Sequence, residues 1–168
     1  MGIRMRIPGT LMRTSTRRRR PRILIAGLGN EILMDDGVGI HAVRALREDL
    51  TKGVRAVEVG TSVLDALHLF EWADNVLAID AVEAGRDTGT IYRFDVGDAQ
   101  QTGVKASLHE LSLVAALRFL PESARPEVTI LGVEPETIDY GLELSPKVHA
   151  SLAGLVRAAR DIVTEWTE

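Results

Sequence analysis

Residues Ile23-Leu24-Ile25-Ala26 form a short apolar run that breaks on Gly27 and Gly29 and leads into Asp35-Asp36-Gly37-Val38-Gly39. A strand buried on both faces reads as such a run, and glycines punctuate its carboxyl end. Val38, Ala42, Val43, Ala45 and Leu46 then recur at helical spacing, predicting a helix that ends near residues 49–53. Val54 to Val59 predicts a second strand, closed by Gly60-Thr61. Val63, Leu64, Leu67 and Phe70 give a short helical stripe with Trp72 near its end. Val76-Leu77-Ala78-Ile79 is a third buried strand that delivers Asp80 at its carboxyl end.

The second half continues the alternation. Gly85 to Gly89 turn into Thr90 to Phe94, whose alternating pattern fits an edge strand and allows an antiparallel one. Asp95 to Lys105 is a polar connection. Ser107 followed by Glu110 matches a capping box, opening a helix predicted to run through Leu111, Val114, Ala115 and Leu117 and to stop before Pro121. Val128 to Val133 is a further strand, ended by Glu134-Pro135. Ser145-Pro146 places a cap and a first-turn proline before a long helix. Its apolar face carries Val148, Leu152, Leu155, Val156, Ala159, Ile162, Val163 and Trp166.

Strands alternating with helices over short loops predict an α/β fold. The expected form is a three-layer sandwich, phosphorylase/hydrolase-like, with a mostly parallel twisted sheet of about five strands and helices on both faces. The length of 168 residues suits one domain, taken as residues 22–168.

Charge alters the picture at one end only. Residues 1–22 carry eight arginines and no acid, so the net charge of -4 conceals a body with 12 basic and 24 acidic side chains. An acidic body speaks against nucleic acid as a partner. Residues 1–21 are expected to be a disordered arginine-rich leader or an extension outside the fold, because no apolar signal-peptide core follows them. No run approaches the ~18 apolar residues of a membrane span. The chain has no cysteine, which excludes disulfides, thiolate metal sites and a cysteine nucleophile and fits a cytoplasmic protein.

Three polar residues fall at the carboxyl edge of the predicted sheet, where open α/β sheets place ligands: Asp36, Asp80 and His109. Asp35 is assigned the helix cap, leaving Asp36 free. Gly37 and Gly39 each cost about 1 kcal/mol in a helix relative to alanine, which points to close backbone approach there. Asp80 ends a buried strand, where an acid has little use unless its charge is used. His109 falls in a first helical turn, where the dipole disfavours imidazolium and leaves a neutral ring ready to bind a metal. Two adjacent carboxylates repel, so one takes up a proton unless a cation lies between them. Two oxygen ligands and one imidazole leave coordination positions open, as in a catalytic or ligand-exchanging site. Zinc, nickel and cadmium-like ions all suit such donors. His41, His68 and His149 are read as ordinary helix-face residues. No G-x-S-x-G elbow and no phosphate-loop pattern is present, and the dinucleotide fingerprint fails because Ile32 stands where its third glycine belongs.

These blocks resemble the [NiFe]-hydrogenase maturation proteases, which trim the carboxyl-terminal extension of the hydrogenase large-subunit precursor. The resemblance runs from about Arg22 to the end through five ordered blocks. They are Gly27-Leu28-Gly29-Asn30 to Gly39; Gly60-Thr61; Ile79-Asp80-Ala81; Ser107-x-His109-x-Leu111; and Gly132-Val133-x-Pro135 with Gly141-Leu142-x-Leu144-Ser145. It implies that Asp36, Asp80 and His109 hold the metal and act in catalysis, and that the protease senses nickel already inserted in its substrate. Zinc or cadmium would serve as substitutes. Two departures stand out. The first ligand is often glutamate where this chain has Asp36, which brings the metal about one methylene closer to the backbone. The frequent Gly-Gly-Thr is here Val59-Gly60-Thr61. Two mechanisms remain open: nickel in the precursor is recognised while a carboxylate activates water, or a metal belonging to the protease polarises the carbonyl and its bound water. Peptidyl-tRNA hydrolases share Gly-Leu-Gly-Asn but continue Asn-Pro-Gly, whereas Asn30 here precedes Glu31-Ile32. A non-catalytic chaperone holding nickel or the precursor is the alternative of another class.

Overall fold

A computed structural model describes residues 19–98, 105 and 107–168. Five strands make one sheet: β1 Ile23–Leu28, β2 Val54–Gly60, β3 Asn75–Ala81, β4 Ile91–Asp95 and β5 Glu127–Val133. Their order is β2-β1-β3-β5-β4, with only β4 antiparallel. The expected sheet, its strand number and its antiparallel edge are all present. The helices are α1 Val38–Leu46, α2 Leu67–Trp72, α3 Leu108–Leu117 and α4 Pro146–Thr167.

The alternation within β1 builds both cores at once. Ile23 and Ile25 face a cluster with Val43, Leu46, Leu155 and Ile162 of α1 and α4. Leu24, Ala26 and Leu28 face Phe70 of α2 and Leu113 and Leu117 of α3. A side-chain period of two, buried on both sides, is why this strand reads as an unbroken apolar run. Gly27 and Gly39 let α1 approach the sheet: a Cβ on Gly39 would lie 2.1 Å from the Ile79 carbonyl oxygen, and one on Gly27 2.4 Å from that of Gly39. The close approach inferred from the glycines is therefore made by the protein's own backbone.

Three local expectations need correction. The stripe after Gly60 is a 3-10 turn, Leu64–Ala66, running into the six-residue α2, and Leu64 points outward. The helix opened by Ser107 does run through Leu111, Val114, Ala115 and Leu117, but of these only Leu117 is buried, beside Glu110, Leu113 and Ala116. Leu111 is exposed because the helix is rotated by its own cap. Ser107 accepts the Glu110 amide and Glu110 reaches back to the Ser107 amide, which fixes the first turn before hydrophobic residues choose a side. The third concerns Asp35, which does not serve as the cap of α1.

The arginine-rich leader lies outside the described residues up to position 18. Arg19 and Arg22 are described, and both guanidinium groups donate to the Asp74 carboxylate beside β3. Among the described residues no helix is long and apolar enough to cross a membrane.

Candidate metal and catalytic site

The sheet order reverses direction between β1 and β3, and a crevice opens outside the carboxyl ends of those two strands. Each supplies one acid. β1 ends at Leu28, and the positive φ of 102° at the following Gly29 turns the chain; a Cβ there would lie 1.8 Å from the Asp36 carbonyl oxygen. The chain then enters a 3-10 turn, Met34–Gly37, that carries Asp36 over the strand end. β3 places Asp80 next to its last residue, fully buried. The third group comes from the first turn of α3, which starts on Ser107.

The three expected residues converge. One donor atom each from Asp36, Asp80 and His109 lie within 4.8 Å of one another. His109 Nε2 is 3.1 Å from Asp36 Oδ2, and the Asn30 amide donates to the same oxygen at 2.8 Å. Asp80 Oδ1 accepts the Ala81 amide at 2.9 Å, and its Oδ2 accepts the Ser107 hydroxyl at 2.7 Å. Ser107 is thus both the cap of α3 and the link between that helix and the buried acid, a role the capping pattern did not reveal. Beside the trio lies a cleft of about 480 Å³ whose walls include Asp36, Thr61, Leu108, His109, Pro135 and Ile138.

Electrostatics divide the two acids. Burial pushes Asp80 up to about 7, against the opposing Ser107 hydrogen bond and the His109 charge. Repulsion from Asp36 adds to this but is a minor part, so the expected carboxylate conflict is chiefly a desolvation effect. Burial also acts to raise Asp36, but hydrogen bonds from His109 and Asn30 outweigh it and hold the group below the usual carboxylate range. His109 is raised by its hydrogen bond to Asp36, against partial burial. This corrects the expected effect of the helix dipole, which the adjacent carboxylate overrides. A buried acid that resists ionising, an ionised acid and an imidazole sharing one small space are a donor set that a borderline divalent cation fits.

Asp35 does not cap α1. The residue preceding that helix is Gly37, and no side chain caps it. Asp35 is fully buried and accepts four hydrogen bonds, all from the connection between β5 and α4. The Glu136 and Thr137 amides reach Oδ2 at 2.9 Å, joined there by the Ser145 hydroxyl at 2.8 Å, while the Ser145 amide reaches Oδ1 at 2.7 Å. The local cap signal misled because the true donors lie more than 100 positions away in the chain. Reciprocal backbone bonds reinforce the joint, from Met34 to Gly141 and from Gly141 to Ile32. Pro135 and Ile138, which wall the cleft, are therefore tied to the loop that carries Asp36. His41, His68 and His149 stay apart from the trio.

Comparison with known proteins bears on the fold and the family. The family model described as hydrogenase maturation protease matches residues 40–162, a span holding Asp80 and His109 and beginning just after Asp36. The hydrogenase expression/formation protein HoxM of Azotobacter vinelandii is 32% identical over 152 residues, covering 86% of this chain and 73% of its own. The hydrogenase 2 maturation protease of Escherichia coli K12 is 32% identical over 139 residues, covering 78% and 84%. Among solved structures, the hydrogenase maturating endopeptidase HybD from E. coli superposes with a TM-score of 0.76 at 26% identity, over 86% of this chain and 93% of that one. The [NiFe] hydrogenase maturation protease HybD from Thermococcus kodakarensis gives 0.73 at 29% identity, over 84% and 99%. The sheet, the crevice and the ordered sequence blocks thus have one common explanation: the chain belongs to the hydrogenase maturation protease family, whose members are endopeptidases.

Proposed function

We propose that this enzyme removes the carboxyl-terminal extension of a [NiFe]-hydrogenase large-subunit precursor once nickel has been inserted, and that Asp36, Asp80 and His109 recognise that nickel. The convergence of the three side chains within 4.8 Å carries the reading. Nickel here belongs to the substrate. Its arrival at the trio would ionise Asp80, whose burial otherwise favours the neutral acid. It would also separate His109 from Asp36. The site would then hold the precursor so that the scissile carbonyl lies over the cleft, with a carboxylate at the cleft wall orienting and deprotonating the attacking water. His109, released from Asp36, serves as a ligand and not as a base.

The deciding experiment compares nickel-loaded and nickel-free precursor, each incubated with metal-stripped protease and read by the mass of the large subunit. Cleavage of the loaded form alone is expected. Equal cleavage of both would overturn nickel sensing, and cleavage only after metal is returned to the protease would make the metal its own cofactor.

A further inference from the structure

The outward face of α3 is apolar although the helix already buries a full apolar face. Leu108 is 79% exposed, Leu111 55% and Phe119, two residues past the helix end, 73%. Their spacing of three, then four and four through Ala115, sets them along one stripe. Across from them Leu64 is 60% exposed on the turn before α2. Between Leu64 and Phe119 lies a groove of about 380 Å³, floored by Ser112, Ala115 and Ala116, and among the described residues its one charged wall residue is Asp65.

We propose that this groove is the docking surface for the precursor polypeptide adjoining the bond that is cut, and that it takes an uncharged, apolar segment of that chain. The inference rests on the function proposed above. Continuity identifies the occupant. Thr61 lines both the groove and the cleft beside the trio, and Leu108 of the stripe sits next to His109 while walling that cleft. A chain held over His109 therefore leaves the cleft along α3. From His109 to Phe119 is ten residues, or about 15 Å of helix at 1.5 Å per residue. About four to five extended residues at roughly 3.3 Å each span that distance. The docked segment accordingly lies within about five residues of the scissile bond. An apolar patch of this kind, continuous with a reaction site and bordered by a single charge, is a recognition surface and a poor solvent-facing one.

The test uses Ala115→Asp, Phe119→Asp and, on the opposite wall, Leu64→Asp, all at exposed positions that leave the core intact. Steady-state cleavage of nickel-loaded precursor is measured, and binding of a labelled peptide spanning the cleavage site is followed by fluorescence anisotropy. At least a tenfold rise in KM and in peptide Kd is expected, with kcat, nickel affinity and thermal unfolding unchanged, and with Phe119→Leu close to the parent. Unaltered KM and Kd in all three Asp variants would overturn docking here. So would a parent dimer, seen by sedimentation, that the same substitutions split, since the face would then belong to a second copy. Nickel-loaded precursor that binds normally but is never cleaved by the parent would instead sink the proposed function and leave the docking surface standing.

Discussion

Helices α3 and α4 cover opposite faces of one sheet with surfaces built on different plans. In α4 the large apolar side chains all turn inward: Val148, Leu155 and Ile162 are buried, and Leu152, Val156, Val163 and Trp166 pack against the same core. Its outer side is charged, with Arg157, Arg160, Asp161 and Glu165 in solvent. In α3 the inward side holds Leu113, Ala116 and Leu117, and the outward side is apolar too. A surface helix with one task shows one stripe, and α4 is such a helix. α3 has two tasks, closing the core and carrying His109 to the sheet edge, and its composition reflects both.

The largest expected effect follows from that division. His109→Ala on α3 and Asp36→Asn on the facing turn should bring precursor trimming below detection, while circular dichroism and thermal unfolding stay within about 1 kcal/mol of the parent, because both side chains border solvent. Full activity in either variant would remove the trio from the reaction. Leu155→Ala on α4 should do the reverse. It removes a fully buried side chain and should cost about 2–5 kcal/mol by urea unfolding, with cleavage retained wherever the protein remains folded. Loss of activity at full stability in that variant would erase the distinction between the helices.

The same contrast shows what could be read from the residues. The α4 face was legible because polar and apolar positions alternate at one period, and every residue on the expected stripe is buried or partly buried. The α3 face was not, because periodicity cannot choose between two apolar sides. The rotation is set instead by hydrogen bonds of Ser107, one to Glu110 and one to Asp80. The trio was legible because each member ends or begins an element at the sheet edge, a position that follows from topology alone. Asp35 was not. A buried acid whose four donors lie at positions 136, 137 and 145 carries no local mark, and a nearby helix start offered a simpler use for it.

Asp35 offers an intermediate test, since it joins the α4 connection to the turn that bears Asp36. Asn would retain one acceptor oxygen but present an NH2 to donors that are already amides and a hydroxyl. Unfolding should become easier by about 1–3 kcal/mol, the usual range for a buried polar group left unsatisfied. Nickel affinity, measured by calorimetry well below the unfolding temperature, should also fall about tenfold, as for a lost supporting contact at a metal site. Reduced stability with unchanged nickel affinity would make Asp35 a clamp for the loop alone.

The mildest effect is a proton linkage. In the folded protein burial holds Asp80 up to about 7, and the bond to Asp36 raises His109, so both retain protons at pH values where free side chains have begun to lose them. A cation at the trio must displace those protons. Its affinity should therefore rise with pH through about 7 and fall below it, with proton uptake by the buffer accompanying binding at pH 6 and diminishing at pH 8. The stability of the metal-free protein should move the other way. An acid whose folded pKa lies above its unfolded value loses stabilisation as pH rises from about 4 towards 7, so Asp80→Asn should flatten that part of the profile. Calorimetric titrations in buffers of different ionisation enthalpy read the first effect and urea midpoints across pH the second. Nickel binding that ignores pH between 6 and 8 would show that the two protonated groups of the trio are not the ones displaced. The α3 end of the site would then hold His109 against Asp36 without offering it to a metal.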